Sequence, residues 1–274
     1  MIFCAVTREP EIGMGARSEA IGIVGVGGLA GFLVEGLRHG GCRGPILLSP
    51  RNAARAADLA CRFDCRIAAD NQAVVDQAAL VVVAVPPQDA LATIGALRWR
   101  EGQRLVCVAI QVALERLEAA APGATVVRAM PSAACAVGLG ATPIHPPDAA
   151  ARQLFEVVGS IYELADEAAF DAATALAGYH LWLYALMDAM VEAAEAEGLP
   201  RAAAVGLVAA LTRSAAGFAL AADPAAAVRA PLDEHGRPGS MTADGMAVLD
   251  RARAFGPWRQ AYTTALDRLR AGSV

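Results

Sequence analysis

The sequence predicts an α/β chain whose first half is a doubly wound, mainly parallel sheet and whose second half is an all-helical domain suited to dimerisation. Three observations carry this expectation. A glycine turn, Gly25-x-Gly27-x-x-Ala30, follows a short apolar run and opens a helical stretch. Short apolar runs then alternate with helical segments up to about Pro147, the pattern of a parallel sheet covered on both faces. Beyond Pro147 the chain turns alanine-rich, with one weak strand signal and three long helical stretches.

Taken in order, the strands are expected at Ile21 to Gly25, Ile46 to Ser49, a short Arg66 to Ala69, Leu80 to Val85, Leu105 to Ile110 and Val126 to Met130. The run Ala79 to Val85 is continuously apolar, as a strand buried on both sides requires, and Pro86-Pro87 stops it. Helices are expected at Gly31 to His39 and Arg51 to Phe63. A short strand at Ile161 to Leu164 precedes helices at Asp166 to Glu197, Pro200 to Ala222 and Ala243 to Ala271. Gly198, Pro224 and the Gly236 to Ser240 loop separate these helices. The resulting division is a loose extension over residues 1–17, a dinucleotide-binding domain over 18–147 and a helical domain over 148–274. The last helices are apolar on more than one face, so a homodimer through them is the natural expectation.

The glycine turn is that of a Rossmann-like domain. Gly25 permits the tight turn, Gly27 lets backbone approach a pyrophosphate, and Gly28 and Leu29 supply the next amides of the helix start. An NAD-preferring domain places an acid about 20 residues past the glycines, at the end of the next strand. Here that place holds Ser49-Pro50-Arg51-Asn52. A hydroxyl and a guanidinium suit a 2′-phosphate, so Ser49 and Arg51 point to NADP, with NADPH preferred over NADH. The plainer alternative makes Arg51 a solvated charge opening the next helix. Val85, Pro86, Met130 and Pro131 lie at carboxyl strand ends, where such sheets bind ligands, and Asn71 follows a strand on the adenosine side.

Composition narrows the function. A net charge of −5 without a basic run argues against a nucleic-acid surface. All 23 basic residues are arginine, so a lysine proton donor is excluded. Six cysteines without a C-x-x-C pair and four scattered histidines give no metal site or disulfide framework and fit a reducing cytoplasm. Residues 1–17 lack the apolar core of a signal peptide, and the uncharged stretch Ala172 to Met187 is shorter than the roughly 20 residues of a membrane span.

Several blocks together resemble the pyrroline-5-carboxylate reductase family, which reduces a cyclic imine to proline with NAD(P)H. They are Ile21 to Gly27, Val81 to Gln88, Val127-Arg128-Ala129-Met130-Pro131-Ser132, Val137 to Thr142, Thr174 to Gly178 and Arg237-Pro238-Gly239-Ser240-Met241-Thr242. The resemblance spans about residues 20 to 270 and departs around the substrate. Ser132 stands where the family has Asn, Gly178-Tyr179-His180-Leu181-Trp182 replaces a small proline-containing segment, and Ser240-Met241 replaces Gly-Thr. The resemblance implies that the last two loops come together from partner subunits to hold the substrate ring and carboxylate. Ser132, Gly178, Trp182, Gly239, Ser240 and Met241 then become substrate-side residues. Thr242, Tyr179 and His180 become candidates for carboxylate recognition and proton donation. A polar cap at a strand end for Ser132, a helix cap for Thr242 and core packing for Tyr179 and Trp182 are the structural alternatives. Three further readings stay open: another imine in a specialised pathway, a non-catalytic NADP-binding regulator, and an NADP-deazaflavin oxidoreductase.

Overall fold

A computed structural model describes residues 19–235 and 239–272. The expected extension over residues 1–17 lies outside them, as do Gly236, Arg237 and Pro238 of the expected loop. The chain divides into two compact units, residues 1–170 and 171–271, with the last three residues grouped with the first.

The first unit is built on one eight-stranded sheet in the order β3-β2-β1-β4-β5-β6-β7-β8. Its strands are β1 (Ile21–Val24), β2 (Ile46–Leu48), β3 (Arg66–Ile67), β4 (Leu80–Val83), β5 (Arg104–Cys107), β6 (Thr125–Ala129), β7 (Gly140–His145) and β8 (Gly159–Glu163). The helices between them are α1 (Gly28–His39), α2 (Ala53–Phe63), α3 (Asn71–Gln77), α4 (Pro87–Gly95), α5 (Leu114–Ala120) and α6 (Ala149–Glu156). The first six strands pair in parallel, β7 runs antiparallel to β6, and β8 lies parallel to β7.

Strand alternation splits the core into two layers. Ile23, Ile46, Leu48, Val82 and Val106 join Leu33, Leu37 and Phe155 on one face. Val24, Leu47, Val81, Val83 and Leu105 join Val74, Ile94 and Leu117 on the other. This double burial is why the strands read as continuous apolar runs rather than alternating ones.

Two expectations for this unit need correction. The sheet does not end with β6. The strands expected from the sequence do not include β7, which contains Pro143; the Pro143 carbonyl accepts a hydrogen bond from the Met130 amide at 3.1 Å. The division between units also falls after Phe170, not near Pro147. β8 pairs with β7, and Leu154 and Phe155 of α6 enter the core, so the stretch after Pro147 belongs to the sheet domain.

The second unit contains most of α7 (Glu167–Ala175), then α8 (Ala177–Ala196), α9 (Arg201–Ala221), α10 (Arg229–His235), α11 (Met241–Arg251) and α12 (Phe255–Ala271). Two of the three expected long helices are broken. The stretch from Asp166 tightens at Leu176, where the chain makes i to i+3 bonds on either side. The stretch from Ala243 breaks at Ala252 to Ala254, where Arg253 has φ +50. A proline at Pro257 would clash with the Arg253 carbonyl of a continuous helix but is tolerated in the first turn of a new one. Gly198, at φ +89, ends α8 as expected.

Little in this unit is buried, whereas Leu181, Leu211, Phe218 and Leu220 are each more than two-thirds exposed. Among the described residues α9 is the one helix long and apolar enough to cross a membrane by length and composition.

Candidate active site

The glycine turn is the structural centre of the first unit. β1 ends at Val24, and Gly25 takes φ +94, a conformation natural to glycine. A Cβ at Gly25 would also lie 2.7 Å from the Ala84 carbonyl, so the turn packs directly on the end of β4. The Gly25 amide donates to Ser49 Oγ at 2.9 Å, and Ser49 is buried. This corrects the role expected of Ser49: its hydroxyl braces the glycine turn from beneath rather than standing open to a phosphate.

Beyond the turn, α1 begins at Gly28 with Gly27 as a cap that has no side chain, and its first turn carries no acid. Methyl groups built on Gly27 or Gly28 would meet nothing within 4 Å. Free space therefore lies over a helix N-terminus whose amides no side chain caps, which is the cradle a pyrophosphate needs. Leu29 is half-buried in the same turn. The residues present fit a dinucleotide.

Three polar side chains gather beside it after β2. Asn52 caps α2 by accepting from the Arg55 amide at 3.3 Å and ties back to the turn by donating to the Val26 carbonyl at 3.2 Å. Arg51 is 76% exposed and lies 3.7 Å from Asp89 in the first turn of α4. Since β2 and β4 are the two neighbours of β1, that contact crosses the carboxyl end of β1. Arg55, which the sequence reading missed, lays its guanidinium over the first turn of α1, 3.1 Å from where a Gly31 Cβ would be. Arg51 precedes the Asn52 cap while Arg55 lies in the first turn of α2, so no helical spacing singles Arg55 out. Asn71 is the first residue of α3, whose cap is Asp70.

Val85 and Pro86 follow β4, with Val85 buried and Pro86 exposed at the cap of α4. Met130 and Pro131 follow β6, half-buried and buried respectively. Ser132 occupies the cap position of the 3-10 turn Ala133–Val137 but makes no capping hydrogen bond. Between them, burial pushes the Cys107 thiol up to about 11, against smaller lowerings by a hydrogen bond with the Ala109 backbone and by the Arg128 charge. Cys107 is therefore a neutral, buried side chain.

A cavity of about 350 Å³ lies at the opposite, amino end of the sheet, between Ile21, Leu37, Cys42, Leu80 and Leu154. It is remote from the glycine turn.

The remaining candidates lie in the second unit. Tyr179 packs edge-on against Trp258 of α12 at 5.9 Å, and His180 faces Tyr184 one turn on at 5.2 Å. Among the described residues the ring contacts of Tyr179 and His180 are these, and none is with Thr242. Gly178 and Trp182 meet each other: a Cβ at Gly178 would come within 2.8 Å of the Trp182 ring, so the glycine makes room for the indole. Thr242 is not the cap of its helix. Ser240 is, accepting from the Ala243 amide at 3.1 Å, because α11 begins two residues earlier than the sequence suggests. Gly239 precedes it at φ +81, and Met241 and Thr242 stand exposed on the first turn. No group of three or more His, Cys, Asp or Glu side chains suited to a metal occurs among the described residues.

Residues 167–271 match the family described as pyrroline-5-carboxylate reductase dimerisation, and residues 20–111 match NADP oxidoreductase, coenzyme F420-dependent. The chain is similar to the pyrroline-5-carboxylate reductase of Mycobacterium leprae, 33% identical over 69% of each chain. It is likewise similar to that of Pseudomonas aeruginosa, 33% identical over 74% of this chain and 79% of the relative. In fold it is similar to the pyrroline-5-carboxylate reductase of Coxiella burnetii, with a TM-score of 0.83, 23% identity and coverage of 94% of this chain and 100% of the other. The Plasmodium falciparum pyrroline carboxylate reductase solved with NADP bound gives a TM-score of 0.81 at 19% identity, covering 95% and 100%.

Proposed function

Because the chain belongs to the pyrroline-5-carboxylate reductase family, we infer that it is an NADPH-dependent oxidoreductase that reduces the C=N bond of 1-pyrroline-5-carboxylate, giving proline. The observation that carries this reading is the glycine turn, braced by Ser49 and open above Gly27 and Gly28, with two arginines beside it and no acid in the ribose position.

When bound, the dinucleotide supplies a hydride from the nicotinamide ring. The chain's part is to place it. The α1 amides receive the diphosphate, while Arg51 and Arg55 lie where a 2′-phosphate adds two charges. Val85 with Pro86, and Met130 with Pro131, form the walls at the carboxyl ends of β4 and β6. A protonated cyclic imine is already a good hydride acceptor, so proximity supplies most of the rate and no strongly perturbed acid is required. Tyr179 and Trp182 contribute ring faces worth roughly 0.5–2 kcal/mol to an iminium cation, and Tyr179 or His180 donates a proton when the imine arrives neutral. In the second unit Thr242, Ser240 and Gly239 at the start of α11 receive the substrate carboxylate, with Gly178 and Met241 as ring-side residues, and in the first unit Ser132 is the substrate-side residue after Met130-Pro131.

The second unit joins a partner copy in a homodimer. Support comes from the dimerisation match over residues 167–271 and from the apolar residues open on α8 and α9. That partner, rather than lipid, is what α9 faces. A cytoplasmic setting is supported by five free cysteines among the described residues.

A second imine class is favoured by one observation: Tyr179, His180 and Met241 are large and exposed at the two helix starts assigned to the substrate. The test is isotopic. NADPH deuterated at the transferred position should deliver one deuterium to the ring carbon of proline. Transfer to a bulkier imine but not to pyrroline-5-carboxylate would establish the second class, and no transfer at all would favour a nucleotide-binding regulator.

A further inference from the structure

Glu167, the first residue of α7, reaches the carboxyl end of β6 and the start of α5 at once. Its Oε1 accepts from Arg128 Nη1 at 2.6 Å and from the Leu114 backbone amide at 2.7 Å. Arg128 is almost wholly buried, lies two residues before Met130, and sets its guanidinium 4.5 Å over the Phe170 ring. Leu114 opens α5, whose cap residue, Ala113, has no side chain that can accept a hydrogen bond. A carboxylate from far along the chain therefore caps α5, and a buried cation balances its charge.

Between the end of β5 and that cap, the chain passes through Gln111 at φ +64. A residue with a side chain is strained there, and such strain persists only where the surroundings over-determine it. The Glu167 bond to Leu114 N fixes the near end of this loop, and the Arg128 bond fixes the same carboxylate to the strand that ends in the Met130-Pro131-Ser132 turn.

We propose that Glu167 is a positioning residue for the nicotinamide side of the site: it holds the strained Gln111 loop in place and, through Arg128, sets that loop against the turn after β6. Four observations support it: one oxygen shared by two donors, the near-complete burial of Arg128, the capping of a helix whose own cap residue cannot serve, and a left-handed non-glycine residue inside the segment so held. The inference rests on the reading that NADPH lies across the carboxyl ends of the strands.

The variant to test is Glu167→Asp, which keeps the charge but is too short by one methylene to serve both donors. It should bind NADPH within about threefold of wild type while changing the nicotinamide emission of the bound cofactor and lowering kcat with pyrroline-5-carboxylate at least about tenfold. Adding Gln111→Gly, which relieves the strain, should recover part of both. Unchanged emission and kcat in Glu167→Asp would overturn the inference. So would a parallel loss of NADPH affinity, thermal stability and kcat that Gln111→Gly does not mend. Should Glu167→Asp fail to fold, Glu167→Gln, which keeps both acceptor contacts but loses the charge that strengthens them, should change emission and kcat in the same direction by a smaller factor, and no change in either would overturn the inference. A wild type that binds NADPH but turns over no pyrroline-5-carboxylate would defeat the functional reading alone, and the emission comparison would still decide this one.

Discussion

The Ser49 hydroxyl accepts a hydrogen bond from the Gly25 amide at 2.9 Å, and so joins the end of β2 to the turn that follows β1. The bond makes a residue expected to touch the cofactor into a support for the backbone that touches it. Ser49→Ala leaves the Gly25 amide without that acceptor, at a cost of about 1–3 kcal/mol. Thermal denaturation should show that loss. Titration should show NADPH and NADH weakened by the same factor, because the preference between them is set elsewhere.

That preference is assigned to Arg51 and Arg55. A charge-assisted bond to a phosphate contributes about 1.5–3 kcal/mol, so Arg51→Ala and Arg55→Ala should each weaken NADPH roughly tenfold or more and leave NADH nearly unchanged. Asp89→Asn frees Arg51 from an exposed pair at 3.7 Å and should strengthen NADPH slightly. Fluorescence titration with both cofactors checks all three. Equal losses for NADPH and NADH would remove the arginines from 2′-phosphate recognition.

Much of the fold can be read in the sequence because both faces of the sheet are buried, so strands such as Leu80–Val83 appear as unbroken apolar runs. β7 is hidden by Pro143, and the divide at Phe170 is hidden because α6 is as alanine-rich as the helices beyond it. For the site, Gly25, Gly27 and Arg51 follow from spacing. Arg55 and Glu167 do not, since one acts through the wrap of α2 over α1 and the other through a contact across 39 residues of sequence. Thr242 and Ser240 exchange their capping roles because helix starts are read only to within a residue or two.

Burial raises the Cys107 thiol to about 11. The folded chain thus holds this proton more tightly than the unfolded one, and the associated stability is complete below the thiol's ordinary range and is lost as pH rises through about 11. The chain has no lysine, but five other cysteines and four tyrosines ordinarily titrate in or near this range, so the contribution of Cys107 is read from the difference between wild type and variant. The free energy of unfolding should fall between about pH 9 and 11, with up to roughly 2–3 kcal/mol of the fall due to Cys107, and Cys107→Ala should flatten it by that amount. An identical slope in wild type and variant would contradict the assignment.

Light scattering should give the full chain a mass at least twice that of one copy. Leu211 and Leu220 stand 68% and 76% exposed on α9. Leu211→Glu or Leu220→Glu should dissociate the assembly and abolish turnover, while NADPH binding persists in the first unit. A wild type that sediments with membranes would instead assign α9 to lipid.

The most direct test of the central claim follows NADPH oxidation and proline formation together on the purified chain supplied with pyrroline-5-carboxylate. The account predicts one proline for each NADPH consumed, with NADH a poorer donor. Tight NADPH binding with no proline formed would contradict it.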